Sequence, residues 1–258
     1  MTERPVLFSG PMVLAILDGR KTQTRRLVKP QPEISVADPP GTLFYKAKDS
    51  YVRLHAGVDA CPFSPYGVPG DRLWVRETHA IRRVDYDLDE DEAGPCESEE
   101  VYYHATPRVG RRRWVGPTAP PPTEFQGQPH SMTYLVESSP LESGPAAHID
   151  RWTPSIHMPR WASRIDLEII GVRVERLQDI TEQDAQAEGI QRAESSLPDY
   201  VWEGAPERRQ GPRGGAAVYC HRTARDAFAT LWDHINGDRA TWESNPWIWR
   251  VEFKRVQP

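Results

Sequence analysis

The chain has 258 residues, a formal net charge of −5 and a mean hydropathy of −0.65. No apolar run approaches the roughly 18 residues that a membrane span requires, and the first residues lack the basic and apolar segments of a secretion signal. These features predict a soluble cytoplasmic protein without a membrane partner. The acidic balance argues against a general nucleic-acid coat and favours a small substrate, or a single nucleotide held in a pocket.

The cysteine pattern argues against both a disulfide framework and a metal site. Cys61, Cys96 and Cys220 are odd in number and widely spaced, as in proteins of a reducing compartment. His221 follows Cys220, but an adjacent pair without further ligands is not a zinc motif. There is also no P-loop and no Rossmann glycine pattern. We therefore expect neither a metal nor a cofactor.

The first predicted elements are a short strand, a helix and a second strand. Residues 6–8 are apolar, and Pro11 suits the first turn of a helix that ends at Gly19. A turn at residues 69–71 precedes a strand over 72–78. Because strand side chains alternate, one face of that strand holds Leu73, Val75 and Glu77.

A longer strand and a short helix are predicted over residues 165–189. Apolar residues alternate through Ile169 and then resume at Ile170 in the opposite phase. Such a slip predicts a bulge or sharp bend, a feature that suits a small barrel. The helix that follows has a capping box formed by Thr181 and Asp184, and Gly189 ends it.

The last elements are an amphipathic helix and a closing strand. Apolar residues recur at helical spacing from Ala224 to Ile235, and Asn236-Gly237 ends the helix. Residues 247–254 then alternate as a half-buried strand. We interpret 1–258 as one domain with insertions at about 30–69, 83–150 and 191–220. The first insertion is irregular and rich in proline, and none has enough apolar residues for a core of its own.

Four blocks of this sequence resemble the ASCH family of the PUA-like superfamily. The first is Gly19-Arg20-Lys21-Thr22-Gln23-Thr24-Arg25-Arg26, just after the first helix. The others are residues 70–75, 177–189 and 249–254. In this order the blocks are fairly specific, and the whole chain is similar to the long ASCH-containing proteins of bacteriophages and prophages.

The resemblance implies an α+β fold: a small PUA-like β-barrel with flanking short helices, large loop insertions and a cleft beside residues 19–26. Some proteins of the superfamily bind RNA. Some small ASCH proteins are amidohydrolases that remove the acyl group from N4-acetylcytidine and related nucleosides. Their catalytic residues correspond here to Lys21, Thr24 and Glu188. This chain is much longer than those enzymes, so its insertions could reshape the cleft.

The chemistry of these three residues fits acyl transfer. A threonine hydroxyl becomes a nucleophile only when a base removes its proton. Lys21 is such a base if burial or the neighbouring arginines Arg20, Arg25 and Arg26 lower its pKa. Residues three apart face opposite sides of a regular strand, so contact between Lys21 and Thr24 requires a turn or bulge. Alternatively, Lys-Thr-x-Thr is a solvated strand start, and Arg20 and Arg26 bind a phosphate.

Further substrate-binding candidates lie outside this motif. Glu77 either points inward to a partner such as Arg26 or Lys21, or reaches solvent at the strand end. A loop brings together His157, Arg160 and Trp161. There a base could stack on the indole while the guanidinium binds a phosphate, or the tryptophan is a packing anchor.

Two functions follow as expectations. The first is an amidohydrolase acting on an N-acylated nucleoside or nucleotide of the N4-acetylcytidine type. The alternative is a non-catalytic module that binds RNA or another nucleic acid. The expected partner is accordingly a modified nucleoside or nucleotide, or RNA.

Overall fold

A computed structural model describes residues 1–34, 43–47, 50–54, 63–86, 96–106, 109–114, 133–135, 151–192, 200–202 and 221–256. This part of the chain is mixed α+β, as the sequence predicts, with strands dominant and few helices. No helix among these residues is long and apolar enough to cross a membrane.

The structure contains the following elements in chain order. The strands are β1 (Glu3–Leu7), β2 (Gln23–Leu27), β3 (Glu33–Ile34), β4 (Leu43–Ala47), β5 (Ser50–Leu54), β6 (Arg72–Arg76), β7 (His79–Tyr86), β8 (Cys96–Tyr103), β9 (Val109–Trp114), β10 (Thr133–Leu135), β11 (Asp166–Arg176), β12 (Gln191–Arg192), β13 (Tyr200–Val201) and β14 (Trp247–Val256). The helices are α1 (Gly10–Leu17), α2 (Glu182–Ala187) and α3 (Ala224–Asn236), and short 3₁₀ turns cover Ser155–His157, Arg160–Ala162 and Leu177–Asp179.

The main sheet has five strands in the order β1-β6-β11-β14-β2. β14 and β2 are antiparallel, with Thr24 opposite Val251 and Arg25 opposite Arg250. The change of alternation phase in β11 falls where Ile170 is 51% exposed, between buried Ile169 and buried Val172. The described strands form an open sheet, so the closed barrel stays a prediction.

Short strands pair within all three predicted insertions. A three-stranded sheet, β3-β4-β5, occupies part of residues 30–69, so the prediction that this stretch is irregular was wrong there. A four-stranded sheet, β10-β9-β8-β7, lies between residues 79 and 135, and β12 pairs with β13. Polar and charged residues dominate β9 and the first part of β8, and the apolar residues of β8 come at its end, where Val101 and Tyr103 are buried.

The chain divides into two compact units. The first comprises Met1–Arg4, Ala15–Leu73 and Leu167–Val256, and the second comprises Pro5–Leu14 and Trp74–Asp166. In the first unit, α3 packs most of the predicted apolar stripe into a buried cluster that also holds Leu177, Ile180, Trp202 and Ile248. The last residue of the predicted stripe, Ile235, is 48% exposed and lies outside the cluster. The second unit has a smaller cluster of Val101, Tyr103, Met158 and Ala162.

Two glycines fix the chain where α1 and α2 end. Gly19 has φ +74° and Gly189 has φ +101°, a left-handed conformation that glycine adopts without steric cost. The Arg20 and Lys21 amides then donate to the carbonyl of Ala15, at 2.9 Å each. The predicted helix ends at Gly19 and Gly189 are therefore confirmed.

Candidate active site

Lys21 and Glu188 meet in a buried contact at the ends of α1 and α2. The Lys21 ammonium nitrogen Nζ lies 2.6 Å from Glu188 Oε2 and donates at 2.9 Å to the Glu188 carbonyl. The side chains are only 1% and 4% exposed. The two residues also form an isolated antiparallel bridge. A local turn at Gly19 and the end of α2 thus bring together residues that lie 167 positions apart.

Local capping interactions explain where Glu188 sits. Thr181 caps α2 by accepting from the Asp184 amide, while the Asp184 carboxylate accepts from the Thr181 amide, which confirms the predicted capping box. Glu188 closes the helix, and its amide donates to the Asp184 carbonyl at 2.9 Å. A Cβ at Gly189 would lie 3.3 Å from Ala15 Cβ and 3.6 Å from Lys21 Cβ. Glycine suits position 189 because of its φ of +101° and the close approach of Ala15, while the distance to Lys21 is an ordinary van der Waals contact.

Burial lowers the pKa of the Lys21 ammonium from its ordinary value of 10.5. Water stabilises the charged amine, and the protein interior removes that stabilisation. Glu188 opposes the shift as a nearby charge and hydrogen-bond acceptor, while Arg26 and Arg25 reinforce it. A lowered pKa is what a lysine base requires, because only the neutral amine accepts a proton.

Arg25 links Glu188 to two further carboxylates. Its Nη1 donates to Glu188 Oε1 at 3.3 Å, and its Nη2 lies 2.8 Å from Glu175 Oε1 and 3.3 Å from Asp184 Oδ2. The Arg25 side chain is fully buried, and its guanidinium lies 5.9 Å from the centre of the Phe228 ring. One cation thus holds together carboxylates from β11, from α2 and from the residue that ends α2.

Arg250 closes the network from β14. It contacts Asp184 Oδ1 at 2.8 Å and donates to Gln23 Oε1 at 2.7 Å, while the Gln23 amide nitrogen donates to the Asp184 carbonyl. Sequence reasoning did not single out Glu175, Asp184 or Arg250 as site residues. Glu175 is one of five charged residues in β11, so its surroundings in the sequence did not mark it as buried.

Thr24 and Arg26 lie on the other face of β2 from Gln23 and Arg25. Both Gln23 and Arg25 contact Asp184, so strand alternation directs Thr24 and Arg26 to the opposite side. Thr24 is 3% exposed, and Arg26 is partly buried. The contacts described for Lys21 are with Glu188, and the nucleophile–base contact with Thr24 stays a prediction.

Tyr66 is an aromatic neighbour of this region that sequence reasoning missed. Burial raises the pKa of its phenol, and Arg26 partly opposes that shift. The phenol therefore stays protonated at neutral pH and is a hydrogen-bond donor. Arg20, by contrast, forms an ion pair with Asp18 at 2.9 Å on the exposed end of α1.

Glu77 is buried, but its partner is not Arg26 or Lys21, so that part of the prediction was wrong. Its two carboxylate oxygens accept from Arg164 Nε and Nη2, each at 2.9 Å. Arg164 also donates to Thr106 at 2.6 Å and lies 3.9 Å from the centre of the Tyr103 ring. Burial raises the pKa of Glu77, and the guanidinium opposes this. The partner comes from the segment after residue 151, a long-range pairing that alternation does not predict.

The loop candidates belong to the second unit. Trp161 packs against its buried cluster, which supports the reading of this residue as a packing anchor. Arg160 pairs with Asp166 at 2.9 Å and lies 5.8 Å from the centre of the Trp74 ring, and His157 is exposed. In the described residues, His, Cys, Asp and Glu do not form a group of three or more that could hold a metal ion.

Comparisons with known proteins add no relative. No protein-family model, curated protein or solved structure matches the chain.

Proposed function

We propose that this chain is a PUA-like protein of the ASCH type that acts as an amidohydrolase on N4-acylated cytidine nucleosides or nucleotides. The observation that supports this most strongly is the buried contact between Lys21 and Glu188, at 2.6 Å. The ASCH resemblance assigns both residues to catalysis, and they meet although 167 positions separate them.

In the proposed first half-reaction, Thr24 Oγ attacks the carbonyl carbon of the acyl group while neutral Lys21 accepts the hydroxyl proton. The tetrahedral intermediate then collapses and the bond between the acyl carbon and N4 breaks. The leaving amine takes a proton from the Lys21–Glu188 pair. The products of this step are the free cytosine amine and an ester on Thr24.

Water completes the cycle by attacking the ester carbonyl. The Lys21–Glu188 pair accepts the water proton and returns one to the Thr24 oxygen as the carboxylic acid leaves. A lysine–carboxylate pair at 2.6 Å suits this exchange, because a proton passes between the partners without crossing solvent. Arg26 and the Tyr66 phenol provide a cation and a donor for the polar groups of the nucleoside.

The net charge supports a small substrate. At −5 the chain carries no general attraction for a polyanion, whereas a single nucleoside needs only a few directed hydrogen bonds.

The test is turnover of free N4-acetylcytidine, followed by chromatographic release of cytidine. We expect release by the wild type and a loss of about 10²-fold or more in Lys21→Ala and Thr24→Ala. Thr24→Ser should keep part of the activity because it retains a hydroxyl. Arg239→Ala is the matched control, since this exposed arginine lies outside the site.

The outcomes separate the two functions. Absence of release from acylated cytidines by the folded wild type would overturn the amidohydrolase proposal. Salt-dependent binding of single-stranded RNA without turnover would instead support the binding module.

A further inference from the structure

The ion network around Lys21 is balanced in charge but unequal in its contacts. It holds the cations Lys21, Arg25, Arg173 and Arg250 and the carboxylates Glu175, Asp184, Glu188 and Glu252. Arg250 touches Asp184 but makes no described contact with Glu188. Arg25 is the cation that bridges Glu188 to the rest of the network.

The two Glu188 oxygens are divided between two cations. Oε2 lies 2.6 Å from Lys21 Nζ, and Oε1 lies 3.3 Å from Arg25 Nη1. A carboxylate held at both oxygens has a fixed orientation, which a single flexible lysine contact does not provide. Glu175 in turn holds the other arm of Arg25 at 2.8 Å, and Arg173 holds Glu175 at 3.0 Å.

The desolvation free energy of the buried Arg25 guanidinium argues that this ion network does more than stabilise the fold. A fully buried guanidinium is expensive to desolvate, and buried ion networks contribute little to stability compared with well-packed apolar residues. Arg25 Nε has no hydrogen-bond partner in the part of the chain that the structure describes. Its charge also lies close enough to Lys21 to disfavour a second positive charge there.

We propose that Arg25 is a positioning residue, which holds the Glu188 carboxylate against Lys21 and determines how readily Lys21 gives up its proton. This inference rests on the proposed function for its catalytic meaning only. The control over the lysine proton is a property of the folded protein, and it is measurable without substrate.

The experiment is a titration of the lysine side chains by NMR in protein labelled with ¹³C at lysine Cε. The sequence has five lysines, and a Lys21→Arg protein assigns the Lys21 signal among Lys21, Lys29, Lys46, Lys48 and Lys254. Arg25→Gln removes the guanidinium and leaves the carboxylate of Glu188 to Lys21 alone. We expect the Lys21 titration midpoint to rise by about 1 unit or more.

Two further variants separate positioning from folding. Arg250→Gln is the matched comparison, because it removes a cation of the same network that reaches Arg25 only through Asp184 and lacks a described contact with Glu188, and we expect a clearly smaller shift of the midpoint than in Arg25→Gln. Glu175→Gln should lower the midpoint, since Arg25 then interacts more strongly with Glu188. If Arg25→Gln does not fold, the Lys21 midpoint in Glu175→Gln tests the proposal instead.

An unchanged Lys21 midpoint in the folded Arg25→Gln or Glu175→Gln protein would overturn the proposal. So would an equal shift in Arg250→Gln, which would show a general loss of the network. Where turnover is established, the apparent pKa in the pH profile of kcat/KM should rise in Arg25→Gln together with the Lys21 titration midpoint. A shifted midpoint in a protein that turns over no acylated cytidine would support the positioning role and overturn the proposed function.

Discussion

Removing Arg164 should destabilise the second unit more than any exposed arginine substitution does. In Arg164→Met the apolar stem remains, but Glu77 loses two hydrogen bonds of 2.9 Å while its side chain stays 2% exposed. Removing one partner of a buried ion pair leaves an uncompensated charge and lowers the free energy of unfolding by about 3–5 kcal/mol. The measurement is urea unfolding at neutral pH, with Arg239→Met expected within about 0.5 kcal/mol of wild type.

A double-mutant cycle isolates the pair. Glu77→Gln with Arg164→Met should cost less than the sum of the single changes, because no charge is then left buried. The pH dependence has a definite sign. The raised folded pKa of Glu77 means that the folded state binds more protons than the unfolded state in the pH interval between 4.5 and that raised pKa. Stability therefore falls as the pH rises through that window, and the Arg164→Met deficit should shrink on acidification.

The reasoning would be refuted by an Arg164→Met protein that loses less than about 1 kcal/mol at neutral pH, the range of exposed pairs. Strict additivity in the cycle would refute it equally, since it would show that the contact between Glu77 and Arg164 carries no coupling free energy.

Three further predictions concern a buried histidine and the ends of α2. Burial lowers the pKa of His79 below 6.5, so stability should fall as the pH drops from 6.5, and His79→Asn should flatten that part of a urea-midpoint profile. Gly189→Ala should cost about 1–3 kcal/mol in thermal or urea unfolding, because φ is +101° and the new Cβ approaches Ala15; a neutral effect would contradict the assigned backbone. Thr181→Ala should cost about 1 kcal/mol by loss of the cap, with Thr181→Ser close to wild type in the same assay.

The sequence predicts the elements that carry periodic apolar residues. The stripe that begins at Ala224 gives α3, the alternation from Trp247 gives β14, and the capping box of Thr181 gives the start of α2. For α3 and β14 the apolar periodicity agrees with the packing, apart from exposed Ile235, and for α2 the side-chain cap marks the helix start.

The missed strands lack such a pattern. β8 reads CESEEVYY and β9 reads VGRRRW. In β8 the buried residues Val101, Tyr102 and Tyr103 come only at the end, after a polar and charged stretch, so neither strand shows apolar alternation along its length. β4 and β5 pair within a stretch that composition alone indicates to be irregular. These partners follow each other along the chain, but strands without a clear apolar alternation leave their bounds and their register unmarked in a single sequence.

Some residues of the candidate site were predictable from the sequence, but their partners were not. The Lys21, Thr24 and Glu188 positions follow from the family resemblance, and the structure brings Lys21 and Glu188 together. The role of Arg25 as a bridge among three carboxylates depends on α2 and β11 meeting at β2, which no local spacing encodes. The pairing of Glu77 with Arg164 is hidden for the same reason.

The most direct test of the proposed chemistry is to look for the acyl group on Thr24. Glu188→Gln protein, in which we expect ester hydrolysis to be slowed, is mixed with N4-acetylcytidine, quenched in acid and digested for mass spectrometry. The account predicts one added acetyl group on the peptide that contains Thr24, and none in Glu188→Gln combined with Thr24→Ala. Cytidine release at the wild-type rate by Thr24→Ala, with no acetylated peptide in any variant, would contradict it.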